Sequence, residues 1–152
     1  MRVIEASLLE FLRDGLLAGV GLHMSRSAVS TALGRPEMLA DYYPPTGVAM
    51  LWRYGELSVG FSRADDRVFF IQILPHRGPP QVVWRSASGP VTLRVMYEDV
   101  RSFLDEHSVR YTTRQPSRIP EIVTEGRVVL TFDPHPLRLK RMLLGVVDSD
   151  SG

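Results

Sequence analysis

The sequence contains no cysteine. This absence excludes disulfide bonds, thiol nucleophiles and cysteine-ligated metal sites. No apolar run reaches the roughly 20 residues that a membrane-spanning helix requires, and the N-terminus shows no signal-peptide core. We therefore predict a cytoplasmic protein that does not enter a membrane.

An excess of charge of one sign is also lacking. The formal net charge is +1 at pH 7, although arginine greatly outnumbers lysine, of which Lys140 is the single example. A chain so close to neutral is a poor match for a polyanionic partner. Two small basic clusters occur, Arg110, Arg114 and Arg118 in one and Arg138, Lys140 and Arg141 in the other. We interpret them as strand-edge and loop charges that discourage unwanted pairing, and we predict no nucleic-acid partner.

Catalytic and cofactor motifs are missing as well. The four histidines, at positions 23, 76, 107 and 135, have no metal-binding spacing, and the chain contains neither a nucleophile elbow nor a phosphate-binding glycine loop. The paired acids Asp65-Asp66, Glu98-Asp99 and Asp105-Glu106 fall in a predicted turn or on helix positions, where acids are common for structural reasons. We therefore predict no catalytic residue, no metal, no cofactor and no enzymatic activity.

The clearest pattern that is present lies between residues 48 and 74. Residues 48–54 form an apolar, aromatic-rich strand, and Gly55-Glu56 suits a two-residue hairpin turn. Apolar and polar residues then alternate from Leu57 to Ser62, which predicts a second strand with one buried face. A third strand follows at residues 67–74. This antiparallel meander needs a helix packed on its apolar face.

The rest of the chain supplies helices and further short strands. Apolar spacing predicts helices at 3–13 and 97–107, and Ser25 caps a helix over 26–33 that Gly34-Arg35-Pro36 ends. Residues 39–47 are predicted to be a loop, and 76–80 a joint between two halves. Short strands are predicted at 81–85, 109–113, 121–124 and 128–132. Residues 137–147 fit either a closing strand or a short basic helix.

The two halves resemble each other at a constant shift of 71 positions. This shift aligns helix, turn and strand without a gap, as in Val29 with Val100, Leu33 with Leu104, Gly55 with Gly126 and Phe61 with Phe132. We therefore predict an α+β protein built as a tandem repeat, each copy a helix on a three- to four-stranded antiparallel meander, with an extra N-terminal helix. Residues 1–76 would hold that helix and the first copy, and residues 77–152 the second, within one compact unit.

A family resemblance rests on three stretches. They are Leu22-His23-Met24-Ser25 opening a helix, Leu33-Gly34-Arg35-Pro36 closing it, and the strand Trp52-Arg53-Tyr54-Gly55 that follows. This pattern resembles the outer-membrane assembly lipoproteins of the BamE/OmlA group and the related repeat of β-lactamase inhibitory protein. It also resembles small actinobacterial proteins of the immunity type. Without a lipidated cysteine the envelope role does not transfer, so the resemblance implies an inhibitor or immunity protein that binds a toxin.

A non-catalytic platform of this kind would act through its surface. Interface energy concentrates in tyrosine, tryptophan and arginine, so we predict contact residues at Tyr42, Tyr43, Arg53, Tyr54, Glu56, Trp84 and Arg127. Trp52, beside apolar neighbours on its strand, is predicted to be core. The alternative is a small-ligand-binding domain or enzyme with a cleft between the two halves. Both a monomer and a homodimer through an exposed sheet edge fit the sequence.

Overall fold

The computed structural model describes residues 3–75, 81–86, 89–93 and 95–145. Within these ranges the helices are α1 (Leu8–Asp14), α2 (Arg26–Leu33) and α3 (Tyr97–Glu106). The strands are β1 (Ile4–Ser7), β2 (Met38–Tyr43), β3 (Val48–Tyr54), β4 (Leu57–Phe61), β5 (Val68–Ile73), β6 (Val82–Ser86), β7 (Gly89–Val91), β8 (Tyr111–Arg114), β9 (Glu121–Thr124), β10 (Val128–Asp133) and β11 (Arg138–Gly145).

Most strands belong to one antiparallel sheet of eight. Its order is β2-β3-β4-β5-β11-β10-β9-β8, so the two halves of the chain meet where β5 pairs with β11. A smaller sheet has the order β1-β6-β7, in which β1 and β6 run parallel. The predicted α+β class with a mainly antiparallel sheet is confirmed.

One face of the large sheet carries the core. Leu57, Val59, Ile71 and Ile73 are fully buried there, and Leu144 is nearly so. The helices pack on this face: the Tyr54 hydroxyl donates to the Gly34 carbonyl just after α2 at 3.0 Å, and Tyr97 of α3 meets Phe132 edge-on at 5.1 Å. Side chains that alternate along the strands point to the opposite face of the sheet, which we call the open face. None of these three helices covers the open face.

The inner hairpins of the two halves share one register. In the first, Leu57 pairs with Ile73 and Val59 with Ile71. In the second, residues 71 positions later pair in the same way, Val128 with Leu144 and Leu130 with Met142. Both ladders also shift register immediately before a phenylalanine, at Gly60/Phe61 and at Thr131/Phe132.

The helix starts follow the same spacing. Ser25, the N-cap of α2, forms an isolated bridge with Arg67, and Met96, the N-cap of α3, forms one with Arg138. The Ser25 hydroxyl accepts the Ala28 N–H at 3.2 Å, as its capping pattern predicts. Each helix is thus tied at its first turn to the strand that closes its own half.

The pairing of β5 with β11, which we call the seam, has a local twofold relation. Gln72 lies opposite Leu143, and these two residues are themselves 71 positions apart. On either side of them, Ile73 pairs with Met142 and Ile71 with Leu144. The seam therefore resembles the self-complementary strand contact of a symmetric dimer, made within one chain.

The N-terminal prediction was wrong at its start. Residues 3–13 were expected to be helical, but Ile4–Ser7 forms β1 beside β6, and only Leu8–Asp14 is helical. Ile4 and Ala6 are buried while Glu5 is exposed, which is the period of two of a strand. In a segment of only four residues, this pattern cannot be distinguished from one turn of an amphipathic helix. Ser7 then caps α1 by accepting the Glu10 N–H at 3.1 Å.

Two other expectations change. The loop predicted at 39–47 is largely wrong, because Met38–Tyr43 forms the edge strand β2. For 137–147 the strand alternative is correct, since Arg138–Gly145 forms β11. The register shift near Thr131 breaks the alternation in this hairpin, which explains why periodicity did not decide between strand and helix. The joint predicted at 76–80 lies outside the described residues.

A candidate protein-binding surface

A continuous row of side chains crosses the open face. Cross-strand pairing places one residue of each strand of the large sheet in this row, in spatial order Met38, Arg53, Ser58, Gln72, Leu143, Val129, Val123 and Thr112. Beside it, Phe70 lies over Gly60, where a Cβ atom would come within 1.9 Å of the ring. Phe69 meets Phe70 edge-on at 5.0 Å. The row combines apolar, amide, hydroxyl and guanidinium groups.

Exposed apolar side chains concentrate at one edge of this sheet. Met38, Leu39 and Tyr42 on β2 and Val48 on β3 are 42%, 46%, 55% and 42% exposed. We call β2 and β3 with their connecting turn the edge hairpin. Strand β2 is the last strand of the sheet on that side, so one row of its backbone groups faces outward.

The opposite edge is different in chemistry. Strand β8 is flanked by ion pairs from Arg110 to Glu125 at 2.9 Å and from Arg114 to Glu121 at 2.8 Å. Thr112 and Thr113 between them are exposed and polar. Charged and polar side chains of this kind discourage the addition of another strand. Of the two edges, β2 is the one that offers apolar contacts.

Four of the residues predicted for contact lie on the edge hairpin, and three of them are at least partly exposed. Tyr42 is exposed, Tyr43 is half-buried with the Arg63 guanidinium 5.1 Å from its ring centre, and Arg53 lies in the open-face row. The sequence interpretation missed Met38, Leu39 and Val48. The signal was present, because residues 38–43 are a mainly apolar run bounded by Pro36 and Pro44.

Burial removes two predicted residues from the surface. Tyr54 is fully buried, and its hydroxyl is used in the bond to Gly34. Trp84 is 3% exposed and packs on Phe11 with ring centres 5.8 Å apart. Both side chains are core residues, so neither can anchor a partner without unfolding of its surroundings. Trp52, predicted as core, is partly buried and meets Phe61 at 4.8 Å.

The remaining two lie in the hairpin turns, away from the edge hairpin's exposed side chains. Arg127 is exposed in the turn between β9 and β10 and has a left-handed φ of 67°. Glu56, in the turn between β3 and β4, is half-buried beside Trp84. Burial raises the pKa of the Glu56 carboxyl, and the neighbouring Trp84 indole N–H opposes part of that rise.

Replacing Glu56 tests this electrostatic cost. Because the pKa of Glu56 is raised in the folded state, its ionised carboxylate lowers the stability of the protein at pH values above that pKa. At low pH the carboxyl is protonated in both the folded and the unfolded state, so this cost is absent. Glu56→Gln should therefore be more stable than the wild type at pH 7, with the difference vanishing toward pH 3.5. Urea unfolding at the two pH values measures it. A variant that is equally stabilised at both pH values would contradict the burial cost.

Metal-ligating groups do not gather in the part of the chain that the structure describes. There, no three His, Asp or Glu side chains lie close enough to hold a metal ion. The His107 ring is engaged structurally, with Nδ1 at 2.9 Å from the Phe103 carbonyl oxygen. None of the helices in these ranges is long and apolar enough to cross a bilayer.

Comparison with known proteins adds no relative. No family model, curated protein sequence or solved structure matches the chain. The function of this chain is therefore inferred from the geometry of the molecule.

Proposed function

We propose that this protein is a non-enzymatic binding module of the immunity or inhibitor type, whose edge hairpin captures an extended segment of a partner protein. The observation that carries the proposal is the contrast between the two sheet edges. One edge presents exposed apolar side chains, and the other is flanked by ion pairs and presents exposed threonines. A partner strand added to β2 would gain main-chain hydrogen bonds for affinity and side-chain contacts for specificity.

The finer architecture belongs to this proposal. We propose that the two halves are copies of one helix-on-meander unit, joined at the seam. The shared register of the inner hairpins, the matching register shifts and the equivalent bridges at Ser25 and Met96 support this. In such a molecule β2 and β8 occupy equivalent places. Their different side chains then mark β2 as the edge specialised for binding.

Charge favours a partner strand over a second copy of this chain. Glu37 and Asp41 are exposed on or beside β2, no base lies between residues 37 and 43, and neither acid forms an ion pair within the described ranges. Antiparallel self-pairing would bring these like charges together. We therefore propose a partner segment with alternating apolar residues and at least one lysine or arginine facing Asp41.

Backbone geometry limits where that segment can pair. Asp41 has a left-handed φ of 53°, and the ladder with β3 pairs residues on either side of it. A straight ladder is thus available along Met38–Ala40, after which Asp41 turns the strand. Such an irregularity protects an edge against indiscriminate pairing, while Tyr42 beyond it remains exposed as an aromatic anchor.

The mode of inhibition would be occlusion. A standard interface covers about 800 Å² on each partner, which is a small share of the 8615 Å² that this chain exposes. The seam is filled by Ile71, Ile73, Met142 and Leu144, each at most 4% exposed. A filled seam favours a binding platform over the alternative of a catalytic cleft between the halves.

The test begins with the product of a neighbouring toxin gene and with capture from the source lysate, followed by titration calorimetry against each purified candidate. Leu39→Lys should weaken binding at least about tenfold, since it places a charge in the contact and removes an apolar side chain. Leu39 is already exposed, so the fold should persist. The outward-facing amides within Met38–Ala40 should become protected from hydrogen exchange in the complex.

Thr112→Lys makes the matched change on the equivalent edge strand β8 and should leave affinity unchanged. If no protein binds with a dissociation constant below micromolar, the binding proposal fails. If a partner binds but both lysine variants behave alike, the module binds through another surface.

A further inference from the structure

We propose that the open face also holds a binding site for an oxyanion, in a hollow that we call the basic hollow. It spans the seam, with Gln72 and Leu74 from the first half and the rest of its lining from the second half. Its lining includes Gln72 of β5, Thr131 of β10, Lys140 and Arg141 of β11, and Pro116, Ser117 and Ile119 of the segment between β8 and β9. Its volume is about 450 Å³, within the size range of small-ligand sites.

Arg141 has a guanidinium group without an ionic partner in the part of the chain that the structure describes. Its Nε atom is buried and has no hydrogen-bond acceptor, and the side chain forms no ion pair within the described residues. A buried guanidinium N–H without an acceptor costs free energy. An oxyanion in the hollow would instead neutralise the charge of this guanidinium through its terminal nitrogens, and the planar group suits two parallel bonds to a carboxylate or phosphate.

The side chains that line the hollow carry an excess of positive charge. Arg141 and Lys140 are cationic, and the only acid among the lining residues is Glu121. The Glu121 carboxylate already accepts a bond from Arg114 Nε at 2.8 Å. Positive charge therefore remains uncompensated in the hollow, while Gln72, Ser117 and Thr131 offer neutral donors around it.

The corresponding place in the first half is built differently. Subtracting 71 positions takes Arg141 to Phe70 and Thr131 to Gly60, and these residues pair across their strands in the same way. There the Phe70 ring covers Gly60 and is 9% exposed. In the first half, the Phe70 ring covers Gly60 and fills this place. In the second half, Arg141 lies beside Thr131, and the same place is open and polar. This contrast does not depend on any partner protein, so the inference is independent of the proposed function.

The ligand chemistry is an oxyanion, which a phosphate or a carboxylate group can provide. The experiment is a titration of the full chain at low ionic strength with inorganic phosphate in one arm and succinate in the other, by NMR and calorimetry. We expect saturable shifts of the Gln72 side-chain amide and of the backbone around Thr131 and Arg141 in at least one arm. The arm that saturates identifies the source of the oxyanion.

Variants distinguish a site from general screening. Arg141→Gln should weaken binding by about tenfold or more, the loss expected for one charge-assisted hydrogen bond. Arg138→Gln changes the same charge on the same strand outside the hollow and should bind like the wild type. Lys140→Gln, at an exposed position, provides a second variant if Arg141→Gln does not fold, and should weaken binding by a smaller factor.

The outcomes decide the proposal. Saturation by phosphate, succinate or both, with loss in Arg141→Gln or Lys140→Gln but not in Arg138→Gln, supports the basic hollow. Absence of saturation in both arms overturns it. Equal weakening in the hollow variants and in Arg138→Gln also overturns it, because nonspecific screening of surface charge would then explain the effect.

Discussion

Ile73→Ala is expected to lower the free energy of unfolding by roughly 2–5 kcal/mol, the cost of removing a large buried aliphatic side chain. Ile73 is fully buried and pairs with Leu57 in its own half and with Met142 across the seam. The cavity would therefore open where both halves meet, and neither half can relax alone to fill it. Urea unfolding followed by tryptophan fluorescence and far-UV circular dichroism measures the loss.

Cooperativity is the second part of this expectation. Because the two halves share the seam, the variant should still unfold in one transition, with both probes coincident. Leu143→Ala is the control: it lies on the same seam but on the open face, where it is half-buried. Its loss should be less than half that of Ile73→Ala. If both variants lost the same free energy of unfolding, or if one half unfolded in a separate early transition, the buried face would not be what stabilises the seam.

Gly126→Ala is expected to destabilise the protein by about 1–3 kcal/mol, the usual range for overpacking. A Cβ atom at this position would lie 2.6 Å from the Leu12 carbonyl oxygen and 2.9 Å from the Arg13 carbonyl carbon and the Gly15 nitrogen. All three are backbone atoms at the end of α1, so no side-chain rotation relieves the contact. The bond from the Gly126 N–H to Leu12, at 3.2 Å, would be strained as well.

Gly21→Ala provides the comparison. Its Cβ atom would come within 2.8 Å of Leu16 Cδ2, the end of a flexible side chain that is 37% exposed. That side chain can move into solvent, so Gly21→Ala should cost clearly less than Gly126→Ala. Thermal and urea unfolding of the pair check the difference. If the two variants lose the same stability, the contact between α1 and the β9–β10 turn does not hold the N-terminal segment in place.

The interior of the fold was the part most accessible to sequence reasoning. Hairpin β4–β5, helix α2 with its Ser25 cap, and strand β9 all carry their signal locally, in a period, a cap or a turn residue. Strand β1 does not, and β2 carries only a mainly apolar run between Pro36 and Pro44. The first is buried only because β6, far along the chain, lies beside it, and the second is an edge strand whose exposed residues leave no alternating pattern.

The residues of the candidate site also differ in whether local sequence could identify them. Tyr42, Tyr43 and Arg53 could be named from residue type, and they fall on one hairpin. Tyr54 and Trp84 share that chemistry but are buried, because the helix layer and β1 with α1 cover them. The basic hollow depends on side chains from β5, β10, β11 and a loop coming together, and no local pattern contains that information.

The local twofold relation at the seam has a consequence for how two molecules could interact. Gln72 pairs with Leu143 at its centre, and β5 of one chain and β11 of another would form the same ladder in trans. Two chains exchanging their second halves would keep every seam contact and gain none, so a swapped dimer would hold the same seam as the monomer. A swapped dimer would carry two edge hairpins and two basic hollows, and would double the valency of the binding proposed for each.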